Sequence, residues 1–336
     1  MRFLDRTLER LGLVAAPPPW PPRRLSLALQ GGGSFGAFTW GALERLLDEP
    51  DVSFDAISGV SAGAVNAVLL ASGLMEGGRA AAKARLERFW KRMSRAAALT
   101  PSAALAGLSL GLVTRGLSPY LFNPFNLNPL REALIDEVDF ARLRSRAPVR
   151  LLIGATRVSD GALRVFSTDE VSADVVLASA CLPLIHHAIE IDGEPYWDGG
   201  YSANPPLIPL VLASKAAQLL IVQVTPTKSA RLPTSPSEIA KRLEQIHFNA
   251  TLNAELEALK YGMLIGATPK LRRLRIGRIS AQEEFVGLAD ESAGNLGWEF
   301  LERLRVSGRG AVEAWLDETP RVNGQASSPP SEIAAE

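Results

Sequence analysis

The sequence predicts a three-layer α/β sandwich built on a mainly parallel sheet. Three observations carry this expectation. Short, nearly all-apolar runs, LSLALQ (25–30), VRLLIGATRV (149–158) and LLIVQV (219–224), lack the polar/apolar alternation of a half-exposed strand and suit strands covered on both faces. They alternate with stretches of helical periodicity. Glycine-rich turns follow the first two strands, where sheets of this kind place their chemistry. At 336 residues the chain can bury a proper core without disulfide or metal staples.

Residues 1–13 place Leu4, Leu8 and Leu11 on one helical face, either docked on the body or contacting a membrane or partner. AAPPPWPPRR (15–24) then forces an extended connector. After the first strand, residues 34–47 suit a helix with Phe35, Phe38, Ala42 and Leu46 inward. SFDAIS (53–58) is the second strand and runs into a small-residue helix (62–71). Residues 79–94 form an amphipathic helix with Leu86, Phe89, Trp90 and Met93 inward. The third strand spans 149–158, and a short helix follows at 173–180. EPYWD (194–198) leads into a glycine turn. A helix at 206–213 precedes the fourth strand, 219–224. Residues 235–259 form a long helix with Ile239, Leu243, Ile246 and Ala250 at core spacing. LRRLRIGRI (271–279) suits a late edge strand, and 320–336 lacks periodicity and reads as a disordered tail.

Composition narrows the function. Lys and Arg total 36, as do Asp and Glu, so no general field attracts a phosphate backbone and nucleic acid is not an expected partner. The single cysteine, Cys181, forms no internal disulfide and fits a reducing compartment. With only His186, His187 and His247 beside it, a structural zinc site is nearly excluded. The longest soft apolar stretch, residues 99–113, falls short of the roughly 20 residues that span a bilayer. Asp5 and Glu9 interrupt what would be the apolar part of a secretion signal. A cytoplasmic location is expected. No feature specifies an oligomeric state.

Three turns carry the chemistry. The first is Gly31-Gly32-Gly33-Ser34-Phe35-Gly36, after a strand and before a helix. Adjacent glycines expose successive N–H groups in front of a helix N-terminus, a site for an anion or oxyanion. It also satisfies the dinucleotide pattern G-x-G-x-x-G, but the second strand ends in Ser58-Gly59-Val60-Ser61 rather than in an acidic residue. The second is Gly59-Val60-Ser61-Ala62-Gly63, a G-x-S-x-G elbow. A serine at the tip of so sharp a turn tolerates only small neighbours, and all its near neighbours except Val60 are small. The third is Asp198-Gly199-Gly200, where an aspartate after an aromatic run is partly shielded and a glycine turn directs its carboxylate.

Together, GGGSFG, GVSAG and DGG, in that order, resemble the marks of the patatin-like phospholipase family. The stretch 178–206 also looks like that family's approach to its aspartate, including the proline pair after it. The resemblance covers residues 25–213 and implies a patatin-like fold and a Ser–Asp dyad. Ser61 would be the nucleophile, Asp198 its base, and the N–H groups of Gly31, Gly32 and Gly33 the oxyanion hole. It implies an acyl hydrolase of lipid or other acyl esters that needs no metal or other cofactor. Two positions depart from the pattern: many members carry a basic residue where this chain has Phe35 and an aspartate where it has Gln30.

The expected organisation is an N-terminal helix and connector (1–24), a catalytic domain (25–214), a strand and helix extension on the same core (215–319) and the tail. Two rival functions stay open. One is a triad in which His247 joins Ser61 and Asp198, although His247 falls inside the long helix. The other is a non-catalytic nucleotide- or lipid-binding module using the glycine loop. Residues 96–128 also carry two readings: a loosely packed helix pair, or an apolar rim over Ser61 for acyl chains or a peripheral membrane contact. Its contacts would be Leu112, Leu117, Tyr120, Leu121, Phe122 and Phe125.

Overall fold

A computed structural model of the chain describes residues 20–99, 118–229, 231–285 and 287–317. The expected N-terminal helix, most of the proline-rich connector, the tail and residues 100–117 of the apolar segment lie outside them.

The elements follow in order. Strand β1 (Arg24–Leu29) leads through a 3-10 turn (Gly33–Phe35) into helix α1 (Gly36–Leu46), and β2 (Ser53–Gly59) into α2 (Ala62–Leu99). Helix α2 is broken at Gly77 and Gly78, whose backbone leaves the helical region. Three short helices follow: α3 (Pro119–Phe122), α4 (Pro129–Glu137) and α5 (Phe140–Arg146). Next come β3 (Arg150–Arg157), β4 (Leu163–Ser167), α6 (Ala173–Ser179), β5 (Ile189–Ile191), β6 (Glu194–Asp198) and a 3-10 turn (Gly199–Tyr201). Helix α7 (Leu207–Ala213), β7 (Gln218–Gln223), α8 (Pro236–Leu264), α9 (Pro269–Arg273), β8 (Arg275–Ser280), α10 (Ala281–Glu284) and α11 (Trp298–Asp317) complete the chain.

The strands form one sheet in the order β5-β6-β3-β2-β1-β7-β8, with β4 also pairing β3. From β3 to β8 the strands run parallel, and β4, β5 and β6 add antiparallel pairs. Alternating side chains of the parallel strands feed two cores. Leu25, Leu27, Leu29, Ile57, Leu220 and Val222 pack under α1, α2 and α11. Ala28, Ala56, Leu219 and Ile221 pack under α7 and α8 on the other face. This is the three-layer α/β sandwich, and it explains why the strand sequences are apolar throughout.

The structure differs from the sequence expectation in several places. The short strands β4 and β5 and the helices α4, α5 and α11 come in addition to the elements the sequence predicts. Residues 269–273 are helical, so the edge strand starts only at Arg275. Helix α8 turns the other way round. Ile239, Leu243 and Ile246 are 42%, 61% and 50% exposed and Ala250 is exposed too, whereas Gln245, Phe248, Asn249, Leu252 and Leu259 face inward. The cause is a buried polar network. Asn249 Oδ1 accepts from Gln30 Nε2 and from Gln223 Nε2, at the ends of β1 and β7, and its Nδ2 donates to Pro226 O and Gln245 O. Buried amides left unpaired would cost more than an exposed apolar stripe. No helix among the described residues is long and apolar enough to cross a membrane.

Candidate active site

Ser61 and the glycine loop sit at the C-terminal ends of neighbouring parallel strands, with Leu29 in register with Gly59. Ser61 has φ 51°, a left-handed backbone that a serine holds only under strain. The elbow is tied down by Gly63 N–H on Val60 O and by Ser61 N–H on both the carbonyl and the hydroxyl of Ser179. Its glycines are required by close approach. A Cβ on Gly63 would run into the Leu29 carbonyl, and one on Gly59 would lie 2.7 Å from Gly63. Gly36, at the start of α1, abuts Ala62.

Asp198, over a hundred positions later in the chain, comes to the same place. It is fully buried. Its backbone N–H donates to Cys181 O, and its carbonyl accepts from Thr156 Oγ1 at 2.7 Å. The Gly200 N–H donates to Oδ1 at 2.7 Å, so the glycine turn does direct the carboxylate. Gly199 abuts Gly154 O, and Gly200 lies against the Phe248 ring. The Ser61 hydroxyl is close enough to pull the carboxyl's pKa down, yet Oδ2 is buried with no hydrogen-bond partner of ordinary geometry. The two groups approach without closing the bond. Burial pushes the Asp198 carboxyl up to about 7, with Glu244 adding to the rise and Gly200 and Ser61 opposing it. Burial and the neighbouring Asp198 push the Cys181 thiol up to about 12, which leaves it an unreactive thiol.

The three loop glycines are not equivalent. Gly31 lies against Ser61, since a Cβ there would stand 2.8 Å from Ser61 Cβ. Its N–H is already taken by Asn204 Oδ1 at 2.7 Å. Among the described residues no acceptor takes the N–H of Gly32 or Gly33. Gly33 has φ 57° and presses on Ala293, whose carbonyl accepts from Ser34 N–H. Phe35 is buried and packs edge-on against Phe300 of α11. The loop therefore presents amides and no side-chain cation.

Among the described residues none of the three histidines makes a hydrogen bond to Ser61 or Asp198. His247 is exposed, and its Nε2 is 3.3 Å from Tyr201 O; it makes no hydrogen bond to Ser61 or Asp198. His187 Nε2 pairs with Pro119 O, and its ring stacks on Tyr120. Burial lowers the pKa of His186, with His187 adding to the effect. Of the proposed rim, Tyr120, Leu121 and Phe125 are exposed, and Leu112 and Leu117 fall outside the described residues. Among the described residues no cluster of His, Cys, Asp and Glu could hold a metal ion.

Residues 27–211, more than half of the chain, match the family described as Patatin-like phospholipase. The chain belongs to the patatin-like phospholipase family. Solved structures similar to this patatin-like chain include VipD from Legionella pneumophila, at 16% identity and a TM-score of 0.43, covering 88% of this chain and 67% of VipD. ExoU in its complex with SpcU, from the type III secretion system of Pseudomonas aeruginosa, matches at 20% identity and a TM-score of 0.35, covering 72% of this chain and 52% of that one. The type III effector ExoU on its own matches at 17% identity and a TM-score of 0.35, covering 90% and 54%. The chain thus spans about half the length of ExoU. Comparison with the curated proteins finds no match.

The sequence reading missed several residues around this patatin-like centre: Asn204, Ser179, Thr225 and Ala293. Asn204 stands just before the proline pair, a polar residue between Ala203 and Pro205, and that placement is its one mark in the sequence. Ala293 acts through its backbone carbonyl, and the hydroxyls of Ser179 and Thr225 bind backbone groups of the elbow and the loop, pairings that leave no mark in a sequence.

Proposed function

We propose that this family member is an acyl hydrolase of lipid or other carboxylic esters that works through a Ser61–Asp198 dyad and an acyl-enzyme. One observation carries the reading: a serine on a strained elbow faces a buried carboxylate oxygen that has no other partner.

Ser61 Oγ attacks the ester carbonyl carbon while its proton passes to Asp198 Oδ2. The carbonyl oxygen becomes an oxyanion and is held by the N–H groups of Gly32 and Gly33. Gly31, whose N–H is occupied, serves by close approach. Each aimed donor contributes about 3 kcal/mol in the transition state. Collapse expels the alkoxide, which takes the proton from Asp198, and leaves the acyl group on Ser61. Water then attacks the acyl carbon as Asp198 accepts its proton. The second collapse returns that proton to Ser61 and releases the carboxylic acid. A base near pH 7 is far better matched to this work than an ordinary aspartate. With Phe35 in place of a basic residue, the loop offers the substrate no phosphate-binding cation, which favours the broader class of acyl esters over phospholipids alone.

The test is a fluorophosphonate label together with a panel of p-nitrophenyl esters, phospholipids and lysophospholipids. Wild type takes the label on Ser61 and turns over esters, and Ser61→Ala does neither. Turnover by Ser61→Ala at the wild-type rate would refute the dyad. Binding of a dinucleotide without labelling would favour the binding-module reading instead.

A further inference from the structure

We propose that Asn204 is a positioning residue of the oxyanion hole: its carboxamide fixes Gly31 and so aims the Gly32 and Gly33 N–H groups at the carbonyl oxygen that Ser61 attacks. The proposal rests on the dyad reading above. Asn204 is fully buried and stands six positions after Asp198. Its Oδ1 accepts the Gly31 N–H at 2.7 Å, and its Nδ2 donates to Gly31 O at 3.5 Å. Thr225 Oγ1 donates to the same carbonyl at 3.0 Å. Both backbone polar groups of Gly31 are therefore bound by side chains from two other segments.

The consequence follows from peptide geometry. The Gly31 carbonyl and the Gly32 N–H belong to one planar trans peptide and point in opposite directions. Asn204 and Thr225 hold the carbonyl on one side, so the Gly32 N–H faces the other. The same contact removes the Gly31 N–H from the set of available donors. The loop's far end is fixed separately, by Ser34 N–H on Ala293 O at 2.7 Å. Gln30 anchors the near end, its Oε1 accepting from the Val224 and Thr225 N–H groups. Glycine backbone is otherwise the most mobile available, and a donor aimed away from the oxyanion contributes little. Aim matters here because Phe35 is locked against Phe300 and no loop cation assists the amides. Asn204 also ties the two halves of the dyad's surroundings together, since the segment bearing Asp198 grips the loop over Ser61.

The experiment measures kcat and KM on p-nitrophenyl butyrate for wild type, Asn204→Ala and Thr225→Val. It also measures Ki for an alkyl trifluoromethyl ketone, which forms a tetrahedral oxyanion adduct on the serine. For Asn204→Ala, kcat is expected to fall about 100-fold with KM within about threefold, as for loss of an oxyanion donor. Ki should weaken by the same factor as kcat/KM, since the ketone adduct mimics the transition state. A purely structural role would instead raise KM and leave Ki and kcat/KM uncorrelated, and that result overturns the proposal. So does kcat within threefold of wild type. Should Asn204→Ala fail to fold, Thr225→Val decides. It removes one bond from the Gly31 carbonyl at nearly constant shape, and kcat about tenfold down with KM unchanged supports the proposal, whereas an unchanged kcat overturns it. A wild-type chain that neither takes a fluorophosphonate nor hydrolyses the ester overturns the dyad and this proposal with it. An active wild type with an unimpaired Asn204→Ala overturns the Asn204 role alone.

Discussion

Replacing Asp198 by Asn should remove activity and, at alkaline pH, make the protein more stable. The carboxyl is fully buried, one of its oxygens has no partner, and burial raises its pKa to about 7. An unfolded aspartate titrates near 3.8 to 3.9. Between about pH 4 and pH 7 the folded chain therefore holds a proton that the unfolded chain has lost. Stability contributed by this group is fully present below pH 4 and is lost as pH rises through 7. The gap corresponds to about 4 kcal/mol at most, at about 1.4 kcal/mol per tenfold. Asparagine keeps an acceptor for the Gly200 N–H and cannot ionise. Its own packing and hydrogen-bond cost does not vary with pH, so the pH dependence isolates the carboxylate. The assay is urea unfolding of wild type and Asp198→Asn at pH 4.5, 6 and 8.5. The variant's stability relative to wild type should climb by about 3 kcal/mol across that range, the first part of the gap lying below pH 4.5. A stability difference that stays flat with pH would refute the reasoning and would mean that the carboxylate is solvated in solution.

Four further outcomes are expected. If Asp198 acts as base, kcat/KM on a soluble ester should rise with pH and level off above an apparent pKa near 7, because only the ionised carboxylate accepts the Ser61 proton; a profile levelling off near pH 4 would contradict this. Changing His247 to Ala should leave kcat within about threefold of wild type, measured on the same ester, because its Nε2 pairs with Tyr201 O rather than with Ser61 or Asp198. Introducing a Cβ at Gly63 (Gly63→Ala) should abolish soluble expression or shift unfolding by about 3 kcal/mol or more, since the new atom would meet the fixed Leu29 carbonyl. Leu243→Gln, on the exposed side of α8, should change stability by no more than about 0.5 kcal/mol, whereas Leu252→Ala, on the buried side, should cost about 2 to 4 kcal/mol in urea unfolding.

The contrast between those last two variants shows where the sequence was legible. The apolar strands were readable because burial on both faces removes the alternation that polar exposure would impose. The elbow was readable because sterics at Gly59 and Gly63 admit almost no residue but glycine. Helix α8 was readable as a helix but not in its orientation. Periodicity shows that a helix has two unlike faces, yet only the partners waiting in the fold decide which one turns inward. Here Gln30 and Gln223, at the ends of β1 and β7, draw Asn249 and its neighbours inward and leave Ile239, Leu243 and Ile246 outside.

The amino-acid order by itself determined the layered α/β architecture, the tight turn at Ser61 and the glycine loop, because each follows from local sterics or from the spacing of apolar side chains. The tertiary structure alone decided which loop amides remain unoccupied, how deeply Asp198 is buried, and that Asn204 grips Gly31 across 173 positions. Those properties depend on atoms brought together from distant segments, and a hydrogen bond or a desolvated carboxyl exists only once both sides are in place.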